Sequence, residues 1–122
     1  MINLRSDLLD DNWEQVSRIF EAVKWGKRSS GDIQEAFANS TASIYAYDGI
    51  RLVGFGRLVS DGVYYGSLYD IIVHPEYQKQ GIGTMIVDKL ISSCSSFLFL
   101  TLTATPGKST FYDKLGFKPY CS

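Results

Sequence analysis

The chain has 122 residues, enough for one domain with one hydrophobic core and too few for two. Hydrophobic residues make up 45% and charged residues 20%, with a formal net charge of -1, so the clustered Lys and Arg of nonspecific nucleic-acid binding are not expected. No apolar run approaches the roughly 18 residues of a membrane span, and "MINLRSDLLDDNW" lacks a signal-peptide core, which predicts a cytoplasmic protein.

In chain order, "INLRS" reads as a short first strand. Asp11 precedes Glu14 by three, a capping-box-like start, and Trp13, Val16, Phe20 and Val23 follow at helical spacing until Gly26. "WGKRSSG" is a loop, and Asp32 with Glu35 opens a second helix running to about Asn39. Residues 41–75 switch to strand, Asp48-Gly49 turn, strand, Asp61-Gly62 turn, strand, which is an antiparallel meander. Ile82, Met85, Ile86 and Leu90 return to helical spacing over 83–93, and "FLFLTLTA" at 97–104 is a buried strand. "KSTFYDKLGF" forms a short helix stopped by Gly116, and "FKPYCS" remains. The step from strand 67–74 through helix 83–93 to strand 97–103 is a crossover, so those two strands run parallel. The expected fold is α/β: a mixed, mostly antiparallel sheet with helices on both faces. Cys94 and Cys121 have no metal or redox spacing and read as unpaired thiols.

The densest signal is "VHPEYQKQGIGT", residues 73–84, where a strand passes through a glycine-rich turn into a helix. The amides of Gln80, Gly81, Ile82, Gly83 and Thr84 fall where first-turn donors have no helical partner and the helix dipole is positive. Such a place suits an anion, a phosphate above all, and Lys79 adds a charge. The spacing is not that of a Walker loop, and Gly54-Phe55-Gly56 lacks the third glycine of a dinucleotide fingerprint. A tight turn with no ligand would look similar.

The run "YDIIVHPEYQKQGIG" together with "STFYDKLGF" resembles the GCN5-related N-acetyltransferase (GNAT) family along the whole chain. Its "SDGVYYGSLYDIIV" portion is most similar to short bacterial members and plant serotonin N-acetyltransferases. The resemblance implies the acyl-CoA N-acyltransferase fold and acetyl transfer from acetyl-coenzyme A to a small-molecule or protein amine, without nucleic acid, membrane or metal. It implies that Gln78, Lys79, Gln80, Gly81, Ile82, Gly83 and Thr84 wrap the pyrophosphate. It also implies that the strand Ile71-Ile72-Val73 binds the pantetheine arm through its backbone at Ile71 and Val73. Strand parity puts Tyr69, Ile71 and Val73 on one face and Asp70, Ile72 and His74 on the other.

Tyr112 is the expected general acid. Phe111 and Leu115, four apart, face the core and turn Tyr112 to another side, which the resemblance places at the cofactor sulfur. An ordinary half-buried tyrosine is the alternative. Asp70, beside the cofactor, is expected to be a base or an amine anchor, or else a paired structural carboxylate. His74 directly precedes Pro75 at the strand end, a place most family members do not use in chemistry. Trp25, Tyr45, Tyr47, Tyr64 and Tyr65 line an acceptor pocket or simply serve the core and sheet. A catalytically weak coenzyme A-binding module is the competing expectation. The resemblance implies a further strand that "FKPYCS" is not expected to supply; the edge of residues 97–103 is then expected to be covered by residues 117–120, by an end this sequence lacks, or by a second chain in a homodimer.

Overall fold

The computed structural model describes residues 1–61 and 63–92 in full, and residues 99–102 by their backbone. Strands β1 (Ile2–Arg5), β2 (Ala42–Asp48), β3 (Arg51–Ser60), β4 (Tyr65–Val73) and β5 (Phe99–Leu102) form one sheet in that order. The first four are antiparallel, and β5 runs parallel to β4, as a helical crossover between them requires.

Helices α1 (Trp13–Ala22) and α2 (Ser30–Ala38) cover one face of the sheet, and α3 (Ile82–Ser92) covers the other. Val16, Ile19 and Phe20 of α1 and Ile33 and Phe37 of α2 pack with Tyr45, Tyr47, Leu52, Phe55 and Ile72. Ile82, Ile86, Val87 and Leu90 of α3 pack with Ile44, Ala46, Val53, Leu58 and Leu68. Met85, expected on that stripe, is exposed; Val87 fills its place because a stripe on a helix of 3.6 residues per turn drifts from i+3 to i+4 and i+5.

Local starts differ from expectation by a few residues. Asn12 rather than Asp11 caps α1, its side-chain oxygen accepting the Gln15 amide at 3.3 Å. Asp11 sits in a 3-10 turn, Leu9–Asp11, tied to the sheet by the Leu9 amide donating to the Tyr47 hydroxyl at 3.0 Å. Ser29 caps α2 by accepting the Asp32 amide, so the helix begins two residues before Asp32. The first hairpin loop is Gly49-Ile50, with Gly49 at φ 64°. The second is longer than the expected two residues: β3 ends at Ser60 and β4 starts at Tyr65. Asp61 Oδ1 organises it by accepting the amides of Val63, Tyr64 and Tyr65 at 2.8, 2.9 and 3.1 Å.

The β3–β4 hairpin carries a bulge and a pair of glycines, and both shape the surroundings of Asp70. Seven residues of β3, Gly54 to Ser60, face eight of β4, Gly66 to Val73, and the extra one falls at Asp70, whose φ is 55°. This is a β-bulge, and it re-aims side chains. Tyr69 lies opposite Arg57, on the face of α1 and α2, not with Ile71 and Val73 as strict parity predicts. Asp70 follows on that same face, while Ile71 and Val73 turn toward α3. The glycine pair has a packing cause. A Cβ at Gly56 would lie 2.5 Å from Ile71 Cδ1 and 2.9 Å from Ile86 Cγ2, and one at Gly54 would lie 3.0 Å from the Ile72 carbonyl. These glycines let α3 approach the sheet.

Candidate active site

The strand that leaves the bulge runs into the glycine-rich turn without interruption. His74 directly follows β4, and its Nδ1 accepts the Glu76 amide at 3.1 Å, which closes the 3-10 turn Pro75–Tyr77. That role is structural. Tyr77 fixes the turn from outside: its hydroxyl donates to Asp48 at 2.8 Å, and the Arg51 guanidinium lies 5.2 Å from its ring. The hydrogen bond to Asp48 pushes the Tyr77 phenol above its ordinary value. Gln78 reaches back and donates from Nε2 to the Val73 carbonyl at 3.0 Å, joining the turn to the strand end.

Lys79 and Gly81 then take left-handed φ values of 66° and 83°, the irregular backbone that turns successive amides toward one point. The first intrahelical bond is Met85 N–H to the Gly81 carbonyl, 3.1 Å. The amides of Ile82, Gly83 and Thr84 thus form the unpaired first turn of an eleven-residue helix. A Cβ at Gly81 would meet nothing within 4 Å, so the space before the turn is open. Free amides, the positive end of a helix dipole and open space suit a pyrophosphate.

The strand edge beside this turn is equally suited to a ligand. β4 pairs with β5 from Tyr65↔Phe99 to Leu68↔Leu102, and the bulge follows directly. Among the described residues, Tyr69–Val73 has β3 on one side and no strand on the other. Ile71, Ile72 and Val73, the expected pantetheine platform, lie on this stretch.

Asp70 faces a different space. It is buried, with a relative exposure of 6%, and both carboxylate oxygens are engaged: Arg57 Nε donates to Oδ2 at 2.8 Å and Arg28 Nη1 to Oδ1 at 3.4 Å. Arg57 also stacks on Phe37 and Tyr69 and bonds the Ser40 hydroxyl. Asp70 opens onto a cavity of about 310 Å³ between α1, α2 and the sheet, walled by Phe20, Arg28, Asp32, Ile33 and Phe37. Arg28 is placed there by the segment joining α1 to α2, whose Arg28 carbonyl accepts from the Ser17 hydroxyl at 2.6 Å, and by the first residue of α2, Ser30, whose hydroxyl donates to Glu14 at 2.7 Å.

Of the aromatics expected to line a pocket, Tyr45 and Tyr47 are buried in the core, where burial raises both phenols above their ordinary value. Tyr64 and Tyr65 are exposed at the hairpin tip. Trp25 alone stands near the cavity, packed on Phe20 and beneath Arg28. Tyr112, Cys94, Cys121 and residues 117–122 lie outside the described residues. Sequence reasoning missed Arg28 and Arg57. Arg57 was legible in principle as a cross-strand partner in the β3–β4 hairpin, but the bulge and the longer loop shift the register. Arg28 gave no signal beyond a basic residue in a loop.

An antiparallel sheet extended by a parallel strand, with a glycine-rich helix start beside a strand edge open among the described residues, defines the acyl-CoA N-acyltransferase fold. The chain belongs to the GNAT family: the model described as acetyltransferase (GNAT) domain matches residues 40–119. The uncharacterized N-acetyltransferase ycf52 of Pyropia yezoensis is 30% identical over 112 residues, covering 87% of this chain and 64% of that protein. The chloroplastic GCN5-related N-acetyltransferase 1 of Arabidopsis thaliana is 29% identical over 110 residues, covering 87% of this chain and 56% of that protein. The chain thus spans somewhat less than two thirds of these relatives. Among solved structures, a GNAT family acetyltransferase from Streptococcus pneumoniae superposes with a TM-score of 0.81 at 28% identity, covering 97% of this chain and 88% of that one. Among the described residues no helix is long and apolar enough to cross a membrane, and no acidic, His or Cys cluster could hold a metal.

Proposed function

We propose that this protein transfers an acetyl group from acetyl-coenzyme A directly to a primary amine. The observation that carries the proposal is the continuity of the β4 edge Tyr69–Val73, open among the described residues, with the helix-first amides of Ile82, Gly83 and Thr84. An extended arm ending in a pyrophosphate matches both: backbone groups along the strand for its amides, and a helix N-terminus for its charge.

The chemistry sets what the other residues must do. An alkylamine resembling Lys, pKa about 10.4, is neutral in only about one molecule in 2,500 at pH 7, a penalty of about 4–5 kcal/mol. The ammonium proton must pass to solvent water before the nitrogen attacks the thioester carbonyl. As the new C–N bond forms and the C–S bond breaks, the nitrogen gives up a second proton and the sulfur takes one, so the step releases one net proton to solvent. Tyr112 is proposed to donate the proton to sulfur, on the F-Y-x-x-x-G-F pattern of residues 111–117. A phenol at about 10 and a thiol at about 8.5 leave that donation only about 2 kcal/mol uphill. Asp70 is proposed to be an anchor for the amine's charge. Its two oxygens each accept from a guanidinium, and the carboxylate presents its negative charge to the cavity.

Free-thiol release from acetyl-coenzyme A across a panel of alkylamines, arylalkylamines, amino sugars and lysine peptides tests the proposal. Acceptor-dependent release by at least one amine is expected. A thermal shift with acetyl-coenzyme A but no release with any amine would leave a coenzyme A-binding module. No thermal shift would remove the donor site itself.

A further inference from the structure

The cavity beneath Asp70 already contains a cation. The Arg28 guanidinium lies 4.6 Å from the centre of the Phe20 ring and 5.6 Å from that of Trp25, and it bonds Asp70 at 3.4 Å. A carboxylate combined with aromatic faces is the chemistry that recognises an ammonium ion. We propose that Arg28 holds the place of the acceptor's ammonium group, and that the acceptor binds by displacing it from Asp70, Phe20 and Trp25. This rests on the amine-acetyltransferase function proposed above and names the acceptor class: a small primary alkylammonium with an apolar body, not an anion.

Three observations favour displacement over a fixed structural role. First, Asp70 does not depend on Arg28. Arg57 makes the shorter bond, 2.8 Å, and its side chain is 19% exposed against 43% for Arg28. Arg57 is also held by Phe37, Tyr69 and Ser40, whereas the described polar contact of the Arg28 guanidinium is Asp70 alone. Second, the exchange conserves charge. Asp70 and Asp32 stand against Arg28 and Lys27 around the cavity, with Arg57 behind Asp70, a local excess of positive charge, so an added ammonium is repelled unless one cation leaves. Arg28 is the one with a solvent path. Third, the space suits the guest: about 310 Å³, near the small end of ligand sites of about 300–1,000 Å³, with Ile33 and Phe37 as apolar wall.

The test uses the full chain with Arg28→Gln and Arg28→Lys, and phenethylamine as the probe. Binding is measured by calorimetry on protein saturated with coenzyme A, and KM and kcat by thiol release. Arg28→Gln keeps Arg57 on Asp70, so an unchanged thermal midpoint is expected. Removing the competing charge should lower both Kd and KM for phenethylamine about tenfold. The kcat should stay within about twofold, a split that a structural defect would not produce. Arg28→Lys retains the charge and should change Kd less. An unchanged or weakened affinity in Arg28→Gln overturns the proposal. So does wild-type binding of 3-phenylpropionate that is tighter than that of phenethylamine and lost in Arg28→Gln, which would make Arg28 an anion receptor. If Arg28→Gln tightens phenethylamine binding while neither form releases thiol, the place-holding role stands and the transfer function falls. If both forms release thiol with the same KM and Kd, the transfer function stands and the place-holding role falls.

Discussion

Gly81 separates the cost of backbone strain from the cost of charge at the proposed pyrophosphate turn. Its φ of 83° is unfavourable for any residue with a Cβ, by about 1–2 kcal/mol, and no atom within 4 Å adds a clash. Against a total stability of about 5–15 kcal/mol, both Gly81→Ala and Gly81→Glu are expected to fold. Gly81→Ala carries only the strain, and its acetyl-coenzyme A affinity should fall by about tenfold at most, or 1.4 kcal/mol. Gly81→Glu adds a negative charge beside two phosphates. At about 6 Å, with effective dielectric constants between about 20 and 80, each unit of charge opposes binding by about 0.7–3 kcal/mol. With two phosphates, the Glu variant should therefore bind about 10–10⁴-fold more weakly than the Ala variant. Calorimetry with acetyl-coenzyme A reads this directly, and S-acetylpantetheine, which lacks the pyrophosphate, should not distinguish the two variants. The difference should narrow with salt, since the screening length falls from about 10 Å at 0.1 M to about 3 Å at 1 M. Equal losses in both variants, or the same loss for S-acetylpantetheine, would refute the assignment of this turn.

Tyr112→Phe should lower kcat about 10–10³-fold with little change in acetyl-coenzyme A affinity, since general acid catalysis is worth about 10²–10⁴-fold and water replaces part of it. Wild-type kcat at every pH would move the acid role to another group. Arg57→Ala leaves Asp70 buried with one longer ion pair and should cost about 3 kcal/mol in urea denaturation. Adding Asp70→Asn should recover part of that loss, and a cost below about 1 kcal/mol for Arg57→Ala would show the pair is not what holds the bulge. Burial raises the Tyr45 and Tyr47 phenols in the folded state. Their neutral forms therefore stabilise the fold fully below the unfolded value of about 10, and that contribution is lost as pH rises through the folded values. Urea midpoints should fall above about pH 10, less steeply in Tyr47→Phe; identical slopes would deny Tyr47 a share in the alkaline loss.

The strand and helix periods, the crossover and the glycine-rich turn were legible because each rests on local pattern. The α3 stripe needed only Ile82, Ile86 and Leu90, and the turn needed only its glycines and its place between a strand and a helix. What escaped was non-local. The face taken by Tyr69 depends on one unpaired residue, which alternation cannot reveal. Gly54 and Gly56 suggested at most a weak nucleotide motif, whereas their cause is the depth to which Ile86 and Leu90 approach the sheet. The partners of Asp70 come from a loop at 28 and a strand at 57, and no spacing rule connects them. Capping residues shifted by one to three positions because Asn, Ser and Asp serve that role almost equally well.

The bulge at Asp70 also makes the site vulnerable to a change of length rather than of residue type. Deleting Asp70 would match seven residues with seven and leave a regular hairpin, with Ile71 opposite Gly56 and the facing of Ile71, Ile72 and Val73 unchanged. Regular pairing is what hairpins ordinarily prefer, so the shortened chain should still close its sheet. It would do so with Arg57 and Arg28 stripped of their shared carboxylate and Asp32 left as the cavity's carboxylate. The carboxylate of this protein is in that sense a one-residue insertion into an otherwise ordinary hairpin. Relatives that keep or lose it should be told apart by counting residues from the hairpin loop to the glycine-rich turn, before any side chain is compared.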